Sequence, residues 1–144
     1  MTHVEYEICD NQGRLYEYMA HAGYDIQIFS DLYLGSDFCR RAFDTTYSRF
    51  QYADEPECLD FLMPEIGERC TRTISGTMFS PDVAKWIGFA YRHLYIATGI
   101  PSTELKELVP FSSMCRYYPG LHTVDEEMAI DIICKDHGLK RRIS

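Results

Sequence analysis

The chain has 144 residues, with 22 acidic against 14 basic side chains and a net charge of −8. Hydrophobic residues make up 46% of it, which is typical of a globular protein and excludes disorder over most of the length. No apolar run approaches the roughly 20 residues of a membrane-spanning helix, and the first residues lack the basic and apolar regions of a signal peptide. We therefore expect a cytoplasmic protein without a membrane partner.

Short helices dominate the predicted N-terminal half. Asn11-Gln12-Gly13 is typical of a turn, and the apolar positions after it predict a helix over Arg14–Ala22. Two further helices are expected over residues 25–34 and 36–43, and Ser36 can cap the second of them.

A loop and a fourth helix complete this half. Residues 44–52 show no helical period and predict a loop. Asp54 has the features of an N-cap, and the helix after it extends at most to Ile66. Pro64 lies within this pattern, so we expect the helix to kink or to end early.

Residues 68–79 are the expected seam between an acidic N-terminal lobe and a neutral C-terminal lobe of one domain, residues 1–144. Within the seam, Arg72-Thr73-Ile74 fits an extended segment and Ser75-Gly76-Thr77 fits a turn. The longest predicted helix follows over Ser80–Thr98, with serine as its cap.

This longest helix is also the most apolar, since its hydrophobic residues cover more than half of its circumference. We therefore expect it to be the central buried helix, with Trp86 in the core. Gly88 interrupts it, and a glycine in mid-helix often permits close packing of a second helix.

The remaining residues predict two or three more helices. Ser102 can cap a short one, and residues 111–118 are ambiguous. Pro119-Gly120 is expected to end whatever structure precedes it, and the capping box that starts at Thr123 begins the last helix. The pattern as a whole predicts a mainly α fold, a compact bundle of six or seven short helices with little or no strand.

The negative charge is distributed unevenly. Residues 1–72 contain 14 acidic and 6 basic side chains, whereas residues 73–144 contain 8 of each. An acidic surface repels nucleic-acid phosphates and suits a basic protein, although net charge also serves solubility alone. Tyrosine, which is enriched at protein interfaces, is frequent in the same half.

The cysteines and histidines give little support for a metal site. None of the six cysteines has Cys-x-x-Cys spacing, and we expect reduced, mostly buried thiols without a disulfide. Cys134 and His137 would share a helix face, and His122 lies upstream, but a fourth ligand is not apparent. We expect no metal and no cofactor.

An enzyme is the alternative interpretation. Arg116 and His122 resemble the Arg-x4–6-His arrangement of HEPN-type ribonucleases, in which the Arg stabilises phosphate charge and the His transfers protons. Pro119-Gly120 departs from that pattern because it would break the helix that carries the motif. Arg92 can join these two residues in a small active site only if the fold brings them together.

Five stretches within residues 80–135 carry a second resemblance, and they read Trp86-Ile87-Gly88-Phe89-Ala90-Tyr91-Arg92, Thr98-Gly99, Ser113-Met114, Tyr118-Pro119-Gly120-Leu121-His122-Thr123 and Glu127-Met128-Ala129-Ile130-Asp131. They resemble small bacterial proteins that look like antitoxin or accessory members of toxin–antitoxin-type gene pairs. This resemblance implies a protein that binds and neutralises another protein, and it transfers no catalytic residue.

These observations favour a non-enzymatic inhibitor, antitoxin-like or similar to phage anti-defence proteins. It would occlude a basic partner protein that handles nucleic acid or nucleotides, such as a nuclease or toxin, without contacting nucleic acid itself. Formation of a homo-oligomer stays open. The residues expected to bind the partner surround the predicted loop and are Asp31, Tyr33, Asp37, Tyr47, Tyr52, Asp54 and Glu57.

Overall fold

A computed structural model describes residues 1–74 and 77–142 of the chain. These residues form eight α-helices, two short 3-10 helices at Arg49–Tyr52 and Gly67–Arg69, and no β-strand, which confirms the mainly α prediction. None of these helices is long and apolar enough to cross a membrane. The α-helices are α1 His3–His21, α2 Ile26–Leu34, α3 Asp37–Ala42, α4 Glu55–Ile66, α5 Pro81–Thr98, α6 Ser102–Leu108, α7 Phe111–Leu121 and α8 Glu126–His137.

The packing of α1 against α5 is the most extensive helix contact in the described residues. Two buried glycines allow it. A Cβ atom on Gly13 of α1 would lie 2.7 Å from the carbonyl oxygen of Lys85, and one on Gly88 of α5 would lie 2.8 Å from ring atoms of Tyr16. Gln12 strengthens this contact by donating from Nε2 to the carbonyl oxygen of Gly88 at 2.8 Å.

The turn predicted at Asn11-Gln12-Gly13 is wrong, because α1 continues through it from His3 to His21. A capping box between Thr2 and Glu5 starts the helix well before the predicted position. Gln12 and Gly13 are buried against α5, so tertiary packing outweighs their local preference for a turn.

Both prolines that were expected to interrupt a helix lie inside one. Pro64 lies within α4, which reaches Ile66, and Pro119 lies within α7, which continues to Leu121. Pro64 and Pro119 are exposed, so water can solvate the carbonyl groups that each proline leaves without a helical partner.

The caps follow the prediction at Ser36, Asp54 and Ser80, each of which accepts a hydrogen bond from a backbone N–H of the helix that it precedes. Two predicted caps are wrong. Ser102 is the first residue of α6 and hydrogen-bonds to Asp44 instead, and Asp125 rather than Thr123 caps α8.

The two halves of the sequence share one hydrophobic core, which includes residues of both α1–α4 and α5–α8. In the segment between them, Arg72 forms an isolated antiparallel bridge with Tyr24. Ser75 and Gly76 of the predicted turn lie outside the described residues. All six cysteines are free, and four of them are buried.

We expect Gly88→Ala to lower the free energy of unfolding by about 1–2 kcal/mol. The steric cost of overpacking against Tyr16 exceeds the roughly 1 kcal/mol that alanine gains in helix propensity. Urea-induced unfolding measures the effect. Gly120→Ala is the control, because a Cβ on Gly120 of α7 meets nothing within 4 Å. An unchanged or higher midpoint for Gly88→Ala would contradict the close contact.

Candidate functional site

The structure places Tyr33, one of the seven expected partner-binding residues, in the core. Its side chain is fully buried, and its hydroxyl donates to Oε1 of Gln12 at 2.8 Å. Its ring packs edge-on against Tyr16 and Phe43. Tyr33 is therefore a core residue and not part of a docking surface, because the helical period of α2 turns it inward.

Asp31 and Asp37 are exposed but have cationic neighbours of their own. Partial burial raises the pKa of Asp31, and Lys106 acts in the opposite direction. Asp37 forms ion pairs with Arg40 and Arg41, and the hydrogen bond from Arg40 lowers the pKa of its carboxyl group. Two arginines thus largely balance the charge of Asp37 locally.

The other four expected residues lie along one short stretch that includes the 3-10 helix. Tyr47 is 73% exposed and Tyr52 is 42% exposed, and their ring centroids lie 6.3 Å apart. Asp54 caps α4 and Glu57 lies in its first turn, 3.6 Å from Arg49. The predicted loop therefore presents two neighbouring tyrosines beside two carboxylates.

A hollow connects Tyr52 with the exposed face of α1. Its other lining residues come from the first four turns of that helix, and they include Tyr6, Glu7 and Asp10. We call the surface formed by Tyr6, Glu7, Asp10, Tyr47, Tyr52, Asp54 and Glu57 the acidic docking surface.

The same helix, α1, borders a second cavity, which we call the aromatic cleft. It encloses about 280 Å³ between α1, α5, α7 and the start of α8. Tyr6 and Asp10 line both this cleft and the hollow beside Tyr52. The remaining lining residues are Asp82, Lys85, Trp86, Phe89, Tyr118, Leu121, His122, Val124, Glu126 and Ala129.

Aromatic rings pack in pairs along the aromatic cleft. Tyr6 meets Phe89 edge to face, with ring centroids 5.2 Å apart. Trp86 meets Tyr118 at 5.9 Å, also edge to face. Tyr118 in turn stacks on His122, with centroids 4.3 Å apart and planes 11° from parallel.

Three carboxylates accompany these rings, and they differ in their surroundings. Asp10 accepts from Arg14 at 2.9 Å and lies 3.7 Å from Nζ of Lys85, so basic side chains already balance its charge. Asp82 and Glu126 form no ion pair with any residue that the structure describes. The cleft therefore offers two uncompensated negative charges next to aromatic rings.

The adjoining part of α8 is fixed by a cluster of charges. Glu127 lies 2.8 Å from Arg141 and 3.3 Å from the buried ring of His93 on α5. The hydrogen bond from Arg141 lowers the pKa of Glu127 to about 2, and burial lowers the pKa of His93. An ionised Glu127 thus holds α8 against α5, next to Glu126 in the cleft.

The prediction that Trp86 is a core residue is wrong, because its side chain is only half-buried and lines the cleft. The sequence pattern marked α5 as apolar around most of its circumference but could not show that α7 and α8 leave a gap beside it. The cleft residues of α1 and α8 were missed for the same reason.

Arg92 has a structural environment rather than a catalytic one. Its side chain is 1% exposed, and it donates to Asp44 at 2.6 Å, to Ser102 at 3.1 Å and to Oε1 of Gln12 at 2.9 Å. It also contacts the carbonyl oxygen of Phe43 and the Cys39 sulfur. Because these partners occupy its donors, Arg92 stabilises the packing of α5 against the elements that supply them.

The three residues of the enzyme hypothesis do not converge. Arg92 lies in the core, Arg116 lines a hollow beside Phe111, and His122 lines the aromatic cleft. In the described part of the chain, no group of three or more His, Cys, Asp or Glu residues could hold a metal ion. The His122 ring instead contacts the carbonyl oxygen of Tyr118 at 2.7 Å.

Comparison of the chain with models of protein families, with curated proteins and with solved structures finds no match.

We expect Arg92→Met to lower the free energy of unfolding by about 3–5 kcal/mol, because it leaves the Asp44 carboxylate buried without its counter-charge. Thermal or urea unfolding measures this. The matched control, Arg116→Met, changes an exposed arginine and should stay within about 0.5 kcal/mol of the parent. Adding Asp44→Asn to Arg92→Met should restore part of the loss. Equal stability of the two single variants would show that the buried pair has no such role.

Proposed function

We propose that the chain is an acidic inhibitor protein that binds a basic partner protein through the acidic docking surface. The exposed Tyr47–Tyr52 pair next to Asp54 and Glu57 is the observation that carries this proposal. Tyrosines give a large, rigid contact area with a polar tip, and they are frequent among the residues that dominate binding energy.

The backbone that presents this pair is held in place. Gln51, which precedes Tyr52 in the chain, is buried and donates to the carbonyl oxygen of Thr45 at 3.2 Å, while Asn11 of α1 donates to the Gln51 carbonyl. A surface that is ordered before binding loses less conformational entropy on association. The backbone that carries the two tyrosines is therefore held by hydrogen bonds before any partner binds.

The charge of the surface selects the class of partner. Arg14 and Lys85 balance Asp10, and Arg49 lies 3.6 Å from Glu57, so Glu7 and Asp54 carry most of the remaining negative charge. Negative charge repels phosphate groups and attracts a basic protein face, and opposite charges accelerate the encounter. A protein that itself binds nucleic acid or nucleotides has such a face. A cytoplasmic antitoxin-like or anti-defence-like protein that occludes a nuclease or toxin fits this chemistry.

The enzyme hypothesis required Arg92, Arg116 and His122 to share one site. They lie instead in the core, in the hollow beside Phe111 and in the aromatic cleft. No observation favours a second function over protein binding.

Site-specific photo-crosslinking tests the proposal. A photoreactive residue at position 52, introduced into the full chain and expressed in the native host, should crosslink to one basic protein. The same residue at position 108 is the matched control, because Leu108 on α6 is 45% exposed, close to the 42% of Tyr52. Tyr47→Ala should reduce the adduct at position 52, and increasing salt should do the same.

Tyr18→Ala is the control for the substitution, since Tyr18 is also an exposed tyrosine, at 44%, and lies on α1 outside the docking surface. It should leave the adduct unchanged. An identical adduct from position 108, an acidic captured protein, or no adduct at position 52 would contradict the proposed function.

A further inference from the structure

The aromatic cleft combines two features that together suit an organic cation. Tyr6, Trp86, Phe89 and Tyr118 line it, and Asp82 and Glu126 add negative charge that no described basic residue balances. Aromatic rings attract cations through their negative faces, and tryptophan does so most strongly.

The cleft is large enough for one side chain of a partner. It measures about 280 Å³, just below the roughly 300–1,000 Å³ of sites for drug-sized molecules. It adjoins the acidic docking surface, since Tyr6 and Asp10 line both the cleft and the hollow beside Tyr52. One partner can therefore contact the docking surface and the cleft together.

An anionic ligand is the opposite possibility, because α5 and α8 both begin at the cleft and helix N-termini attract anions. The first turns of these helices already contain Asp82 and Glu126, and each full negative charge exceeds the roughly half positive charge of a helix N-terminus. The Lys85 ammonium group is close to Asp10. Negative charge therefore prevails in the cleft.

We infer that the aromatic cleft binds the guanidinium group of an arginine side chain from the basic partner. The planar guanidinium stacks on aromatic faces and pairs with carboxylates through several N–H donors, which a compact ammonium group does not match. This inference rests on the proposed function, because it assigns the cleft as the arginine pocket of the same interface.

Trp86 makes the inference directly measurable. It is the single tryptophan of the chain and lines the cleft, so its fluorescence reports on occupancy. The probe is the peptide acetyl-Gly-Arg-Gly-amide, titrated into the full chain. We expect a saturable fluorescence change that weakens with salt. The isosteric citrulline peptide, which lacks the charge, should bind roughly tenfold more weakly, and the lysine peptide should fall between the two.

Variants separate a specific pocket from general acidity. Asp82→Asn and Glu126→Gln should each weaken binding of the arginine peptide several-fold, because each removes one uncompensated charge. Glu104→Gln is the matched control, since Glu104 is an acidic residue in the first turn of α6, outside the cleft. It should leave the titration unchanged. Circular dichroism checks that each variant is folded.

No saturable change, equal binding of the arginine and citrulline peptides, or an equal effect of Glu104→Gln would overturn the arginine pocket. These results are distinct from a failure of the proposed function. Crosslinking of a basic protein at position 52, together with no response of Trp86 to the arginine peptide, would overturn the pocket but leave the docking surface. A response of Trp86 without any crosslink at position 52 would support the pocket while refuting the proposed partner.

Discussion

The close contact between α1 and α5 is the constraint on which the rest of the structure depends. Gly13 and Gly88 let the two helices approach until the side chain of Gln12 reaches a backbone carbonyl of α5. The Oε1 atom of Gln12 then accepts from both Tyr33 and Arg92, which connects α2 to the same pair. The outer faces of α1 and α5 flank the aromatic cleft, so the contact that forms the core also determines the spacing of the candidate site.

The buried ion pair of Arg92 and Asp44 connects α5 to residues 44–52, the segment that carries Tyr47 and Tyr52. Burying two charges is costly unless hydrogen bonds satisfy the remaining donors and acceptors, and here Ser102 bonds to Asp44 through both its backbone N–H and its hydroxyl. All buried side-chain nitrogen and oxygen atoms in the described part of the chain have partners. The pair fixes the chain at residue 44, three residues before Tyr47, so core chemistry determines where the exposed tyrosines lie.

The sequence was sufficient for the fold class and for features that depend on local chemistry. Ser80 and Asp54 begin helices because a side-chain oxygen satisfies a free backbone N–H, and this is readable from a few neighbouring residues. Residues whose role depends on distant partners were misjudged. Gln12 belongs to a helix because of Gly88, which lies 76 positions away, and Arg92 is buried because Asp44 and Ser102 meet it from other elements.

The same limit explains why charge distribution located only part of the candidate site. The acidic half contributes Tyr47, Tyr52 and the exposed face of α1, whereas Trp86, Tyr118 and Glu126 of the cleft belong to the half with no net charge. The net charge of a segment does not show which of its residues lie together on the folded surface. Helix packing determines that. Because α1 is the first helix and α5 the central one, their contact joins acidic residues of one half to aromatic residues of the other. Under the proposed function, the partner therefore meets a surface that neither half forms alone.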